Sequence, residues 1–130
     1  MSLFDYDSLT IVGRAGKDAE MRFLPNGDPV TSFSVAVDRS YKKNGELHRR
    51  TIWYKISVFG KFAETCASVK KGERVLVEGT LTPDDGGNPR IWTKSDGGSA
   101  TSFEVNAQVV RFLSDRKDTE AAQPKEEPPF

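Results

Sequence analysis

Apolar residues recur at alternate positions in short runs along most of the chain, and glycine, proline, asparagine and aspartate cluster between the runs. Alternation of that period turns one face of a strand toward a core and the other toward water. Leu9-Thr10-Ile11-Val12-Gly13 opens one such strand, and Glu20-Met21-Arg22-Phe23-Leu24 begins a second that the turn signal Pro25-Asn26-Gly27-Asp28 ends. Residues 30–37 return, with Phe33, Val35 and Val37 alternating against Ser34 and Ala36, so that the second face leaves room for a close neighbour. Residues 50–59 predict a strand with Ile52, Tyr54, Ile56 and Val58 on one face and Thr51, Trp53, Lys55, Ser57 and Phe59 on the other. Residues 73–81 bury Val75, Val77 and Leu81, with Gly79 marking a bend or close approach. Residues 101–113 predict the longest strand, with Phe103, Val105, Ala107 and Val109 inward against Glu104, Asn106 and Gln108.

One helix is predicted, over residues 60–69. Phe62, Cys66 and Val69 fall at helical spacing beside Ala63 and Ala67, and Lys70-Lys71-Gly72 supplies cations and a glycine at the C-terminal end. Cys66 is then a packed core residue. A helix placed between the third and fourth strands of this order is the signature of an all-β OB-fold, a five-stranded Greek-key barrel. Its ligand groove crosses the second and third strands and is walled by the loops after the first and fourth.

Charge is concentrated along that path. The chain carries no net charge, yet Arg39, Lys42, Lys43, His48, Arg49, Arg50 and Lys55 fall among Tyr41, Trp53, Tyr54 and Phe59. Such a surface holds a polyanionic backbone and stacks planar bases, as unpaired DNA or RNA requires. Taken alone, the basic run also reads as a solvated hairpin turning at Asn44-Gly45. The face bearing Trp53 and Phe59 is either covered by another sheet, a helix or a partner subunit, or it serves a ligand. Between the last two strands, residues 82–100 read as a long, mobile hairpin. There Trp92, between Arg90 and Lys94, either repeats the ring-and-cation theme or anchors the hairpin to the body.

With 130 residues, the chain builds one domain of ordinary size, and a single cysteine and a single histidine supply neither a disulfide nor a zinc cluster. No metal and no cofactor is expected. The start of the chain lacks the pattern of a secretion signal and no segment reaches membrane-spanning length, which predicts a soluble cytoplasmic protein with no membrane partner. Residues 1–114 are read as the binding domain and residues 115–130 as a short, disordered, acidic tail with too little to bury. The tail ends in Glu126, Glu127, Pro128, Pro129 and Phe130, which reads either as a meaningless frayed end or as a tip whose ring and acids a partner's pocket grips.

Several segments together carry a specific resemblance: Leu9-Thr10-Ile11-Val12-Gly13-Arg14, Phe23-Leu24-Pro25-Asn26-Gly27, Phe33-Ser34-Val35-Ala36-Val37, Trp53-Tyr54-Lys55-Ile56-Ser57-Val58-Phe59-Gly60-Lys61, Lys71-Gly72-Glu73-Arg74-Val75-Leu76-Val77-Glu78-Gly79 and Phe103-Glu104-Val105. In order and spacing the chain resembles the bacterial and organellar single-stranded DNA-binding proteins over nearly all of residues 3–113. The resemblance implies sequence-independent binding and protection of single-stranded DNA during replication, recombination and repair. It implies stacking by Tyr41, Trp53, Phe59 and Trp92 and phosphate contacts by Arg14, Lys17, Lys42, Lys43, Arg50, Lys55, Lys61 and Arg74. It further implies a D2 homotetramer in the bacterial cytoplasm, associated with the nucleoid, for which Tyr54 and residues 9–12 offer leftover apolar surface. The family's acidic tip docks on replication and repair proteins. The short linker and the two adjacent acids here depart from it and put recruitment in doubt, pointing instead to a specialised or phage-encoded copy, or a second copy beside a longer one.

Catalysis is not expected, because no nucleophile set forms around His48, no phosphate-binding glycine loop occurs, and Asp84 and Asp85 sit beside Gly86-Gly87 without a rigid frame. The rival reading is an OB-fold module that binds RNA or serves as a protein-interaction subunit of a replisome or primosome. Stacking and phosphate contacts accept both polymers, so the preference for DNA rests on the resemblance.

Overall fold

The computed structural model describes residues 5–113, so the expected tail and its tip, Glu126 to Phe130, lie outside the described residues. The elements are β1 (Leu9–Ala15), β2 (Glu20–Phe23), β3 (Pro29–Lys43), β4 (Glu46–Phe59), α1 (Lys61–Cys66), β5 (Arg74–Leu81), β6 (Ile91–Thr93), β7 (Ser99–Thr101) and β8 (Phe103–Phe112). Five strands close on themselves in the order β1, β5, β8, β4, β3, with β3 returning to β1 through Arg14 opposite Ala36 and Ala15 opposite Val35. The predicted all-β OB barrel with one helix after the central strands is what forms. β2 continues the edge that β1 leaves, pairing Glu20 to Phe23 with Ser32 to Pro29 of β3. The pairing of β4 with β8 is parallel, and the other pairings are antiparallel.

The inward faces follow the alternation read from the sequence. Phe33, Val35, Ile56, Val58, Val75, Val77 and Val105 fill the barrel, each almost wholly buried. Tyr54 belongs to this core at 9 % exposure, so it is not free surface for a partner chain. Gly79 permits the tightest strand approach: a β-carbon there would stand 2.1 Å from the Asn106 carbonyl oxygen. The β5–β8 register shifts between Glu78 and Gly79, and the extra residue in β8 moves its inward parity by one. Val110, opposite Val77, therefore packs on the core where Val109 was expected.

Leu81 and Phe103 differ from expectation for another reason. Both have inward parity, beside Val105, but they stand at the rim where the barrel opens, and they are 55 % and 61 % exposed. The longest strand is β3, because β3 and β4 run on past the barrel as a two-stranded ribbon to Lys43 opposite Glu46. Asn44 (φ 52°) and Gly45 (φ 80°) make the two-residue turn, a left-handed pair that matches strand twist.

The helix is shorter than predicted and covers the far end of the barrel with Ala63 and Cys66. Bonds from Ser68 N–H to Thr65 O and from Val69 N–H to Cys66 O tighten the chain after Cys66, yet Val69 stays buried. Thr31 Oγ1 donates to the Ala63 carbonyl, tying the helix to β3. The helix exit is in turn bonded to the end of β1, with Ala19 N–H donating to Val69 O and Gly72 N–H to Ala15 O. Among the described residues no helix is long and apolar enough to cross a membrane.

Gly79→Ala is expected to cost about 1–3 kcal/mol, since strand backbones must separate, and to lower the urea midpoint with little change in slope. Burial pushes the Cys66 thiol pKa up. Cys66 is thus expected to resist thiol reagents until the protein unfolds. Its contribution to stability should be complete below the ordinary thiol pKa of about 8.5 and decline as pH rises through the raised folded value. Urea melts of wild type and Cys66→Ala across neutral to alkaline pH read that convergence.

Candidate nucleic-acid interface

The outward face of β4 carries Thr51, Trp53, Lys55, Ser57 and Phe59, none of them buried. Trp53 stands opposite Ala36 and Lys55 opposite Ser34, so the small residues of β3 form a low floor beside the indole. The end of β1 completes that floor at Gly16, whose N–H donates to the Ser34 carbonyl at 3.0 Å. Lys17, exposed and next in the chain, is thereby brought to the Trp53 side of the barrel. Phe59, 49 % exposed, lies six residues along β4, about 20 Å away at strand rise. Lys61 follows it, exposed, at the start of α1.

Tyr41 lies on the ribbon, opposite His48 in register. The two rings stack at 5.4 Å between centroids with a 22° tilt, and the Arg50 guanidinium carbon sits 4.6 Å from the Tyr41 centroid. His48 Nε2 is 3.8 Å from Glu46 Oε2. Tyr41 and Arg50 are thus joined in one group, with Lys42 and Lys43 exposed at the ribbon tip beside them. From the sequence, His48 counts among the cations of this run but has no place among the stacking rings or phosphate contacts. The turn at Asn44-Gly45 would have found it, because a two-residue turn there sets Lys43 opposite Glu46 and hence Tyr41 opposite His48.

Trp92 occupies the middle of β6, half-buried and opposite Ala100 of β7. Its Nε1–H donates to Ser102 Oγ at 3.2 Å, so its orientation is tied to the hairpin base. Arg90, at the foot of the same arm, pairs with Glu104 at 3.4 Å. The segment 82–100 is built from this short ladder and two tight turns, at Asp84 to Asn88 and at Lys94 to Gly98.

Two of the candidate phosphate contacts stand apart. The half-buried Arg14 donates from Nη1 to the Gly72 carbonyl at 3.1 Å and holds the β1 end to the helix exit. Arg74 faces it across the β1–β5 ladder, with its side chain exposed.

A groove of about 840 Å³ opens at the barrel mouth, lined in part by Arg50, Trp53, Leu81, Pro83, Arg90 and Phe103. It exists because β8 pairs with β4 only over Tyr54 to Ser57, leaving the β4 edge before Tyr54 without a strand beside it. The Phe103 ring lies 5.9 Å from that of Tyr54 and roofs the core at this rim. The groove joins Arg50 of the ribbon to Trp53 of the β4 face and Arg90 of the hairpin. Phe59, Lys61 and Trp92 do not line it.

A closed OB barrel bearing exposed rings and cations on its central strands places the molecule among the OB-fold binding proteins. More narrowly, the chain belongs to the single-strand binding protein family, whose profile matches residues 6–113. It is 32 % identical over 123 residues to a single-stranded DNA-binding protein of Neisseria meningitidis serogroup A, covering 93 % of this chain and 67 % of that one. It is 37 % identical over 124 residues to the single-stranded DNA-binding protein of Thermotoga maritima, covering 94 % and 83 %. The fold superposes on the Plasmodium falciparum SSB complex with single-stranded DNA at a TM-score of 0.68 and 25 % identity, over 88 % of this chain and all of that one. The small single-stranded DNA-binding protein of Streptomyces coelicolor shares the fold at a TM-score of 0.66 and 23 % identity, over 82 % and 94 %.

Proposed function

We propose that the protein binds single-stranded DNA without regard to sequence, keeping unpaired strands extended and protected during replication, recombination and repair. The observation that carries this reading is the outward face of β4, where Trp53 and Lys55 are half-exposed and Phe59 is exposed. Rings on such a face stack on any base, and cations beside them follow the backbone. Tyr41 with Arg50 and His48 extends the path along the ribbon, and Trp92 extends it along the β6–β7 hairpin. Lys17, Lys42, Lys43, Lys55 and Lys61 are its phosphate contacts, whereas Arg14 and Arg74 take part from the β1 end. Family membership and the named relatives support DNA as the polymer.

In this reading residues 1–114 are the binding domain and four copies assemble with D2 symmetry. Glu126, Glu127, Pro128, Pro129 and Phe130 form the segment a replication or repair protein would grip, although the short linker and two adjacent acids weigh against recruitment, and the protein works in the bacterial cytoplasm at the nucleoid. It acts by occupancy and performs no reaction.

Titration of intrinsic Trp fluorescence with oligo-dT, oligo-U and duplex DNA of matched length tests the reading. Strong quenching by oligo-dT with little response to duplex is expected, whereas no quenching by any of them would make Trp53 and Trp92 structural and favour a protein-interaction module. Trp53→Ala and Trp92→Ala are each expected to lose about 1–3 kcal/mol of affinity for oligonucleotides of any sequence while keeping the far-UV dichroism of wild type. Lys43→Ala is expected to lower the slope of log affinity against log salt by about 0.7, read from titrations at several salt concentrations.

A further inference from the structure

Trp53 lies against the end of β1 with no space to spare. A β-carbon on Gly16 would stand 2.4 Å from Trp53 Cζ3, 3.0 Å from Cη2 and 2.9 Å from Ser34 Oγ. Gly16 is not among the residues of positive φ, so its backbone does not require glycine, and the requirement is one of room. Both close ring atoms belong to the six-membered ring of the indole, which reaches further than the single ring of phenylalanine. The floor is equally tight, because Ser34 is 4 % exposed and its Oγ is buried without a hydrogen-bond partner among the described residues. A hydroxyl in that condition is costly, and it is tolerated where ring and backbone shut water out.

We infer that Gly16, with Ser34 beneath it, is a positioning residue for Trp53: the missing side chain forms a seat that holds the indole in one orientation on the β4 face. The inference rests on Trp53 being a stacking platform. The outer edge of the six-membered ring is held against the β1 end, and the indole meets a base already oriented. An oriented ring loses little rotamer freedom when a base arrives, which raises affinity without adding a contact.

The test uses the full chain with Trp92→Phe as a common background, leaving Trp53 as the sole tryptophan, excited selectively over the tyrosines. Emission spectra and anisotropy titrations with labelled oligo-dT are compared for Gly16→Ala, Trp53→Phe and the double variant. Gly16→Ala is expected to shift the Trp53 emission toward the solvent-exposed position and weaken binding about tenfold, within the range one stacked base supplies. In the Trp53→Phe background the same substitution is expected to change affinity less than about twofold, because the indole atoms it strikes are gone and only the Ser34 hydroxyl remains in its way. Equal losses in both backgrounds, or no emission shift, would overturn the inference. Should Gly16→Ala fail to fold, folding of the double variant supports the seat and its failure overturns it. If instead Trp53→Phe and Trp53→Ala bind as the background does while the emission shift is present, the seat stands and the stacking reading of Trp53 falls.

Discussion

The closing contact between β1 and β3 is the constraint on which the other features depend. A β-carbon on Gly13 would stand 2.3 Å from the Ala36 carbonyl oxygen and 2.7 Å from Val35 Cγ1, so the two backbones meet where no side chain fits. That approach lets Arg14 and Ala15 pair with Ala36 and Val35, and the sheet becomes a barrel without an edge at this point. It also fixes where β1 ends. Gly16 and Lys17 then fall beside Trp53, and the bonds from the β1 end to residues 69–73 hold the helix exit to the same place.

Closure accounts for the unequal use of the two faces of β3 and β4. Inward, large aliphatic side chains fill the barrel; outward, Ser34 and Ala36 on β3 are small and the bulk is supplied by Trp53 on β4. The ring rests on a low floor and is closed in at the β1 end by Gly16. Past the barrel the same two strands have no other strand of the described residues beside them, and the ribbon orders its own side chains by cross-strand contact. Arg50, Tyr41 and His48 form such a set, in which a cation and two rings are arranged before any ligand arrives.

Much of this was legible from residue order. The alternation in residues 30–37 and 50–59 assigned Phe33, Val35, Val37, Ile52, Tyr54, Ile56 and Val58 to the inward faces, because strand period is local and a buried face tolerates no slip, but it did not name Thr31, which is buried on the same face. The Asn44-Gly45 turn and the close approach at Gly79 were legible for the same local reason. The rings and cations of β4 also fell on the outward face as read, since parity follows from the strand alone.

What the sequence by itself determined was the set of strands, their core faces and the chemistry of the outer face, all properties of a period that each segment carries within itself. Only the tertiary structure decided where inward parity stops meaning burial. Leu81 and Phe103 point as predicted but stand at an open rim, and Val110 replaces Val109 because a bulge in one strand is set by its partner. Tertiary structure also decided that Gly16 meets Trp53 and that Arg14 is bonded to Gly72. These pairs are far apart along the chain, and their meeting follows from barrel closure, which no local pattern encodes.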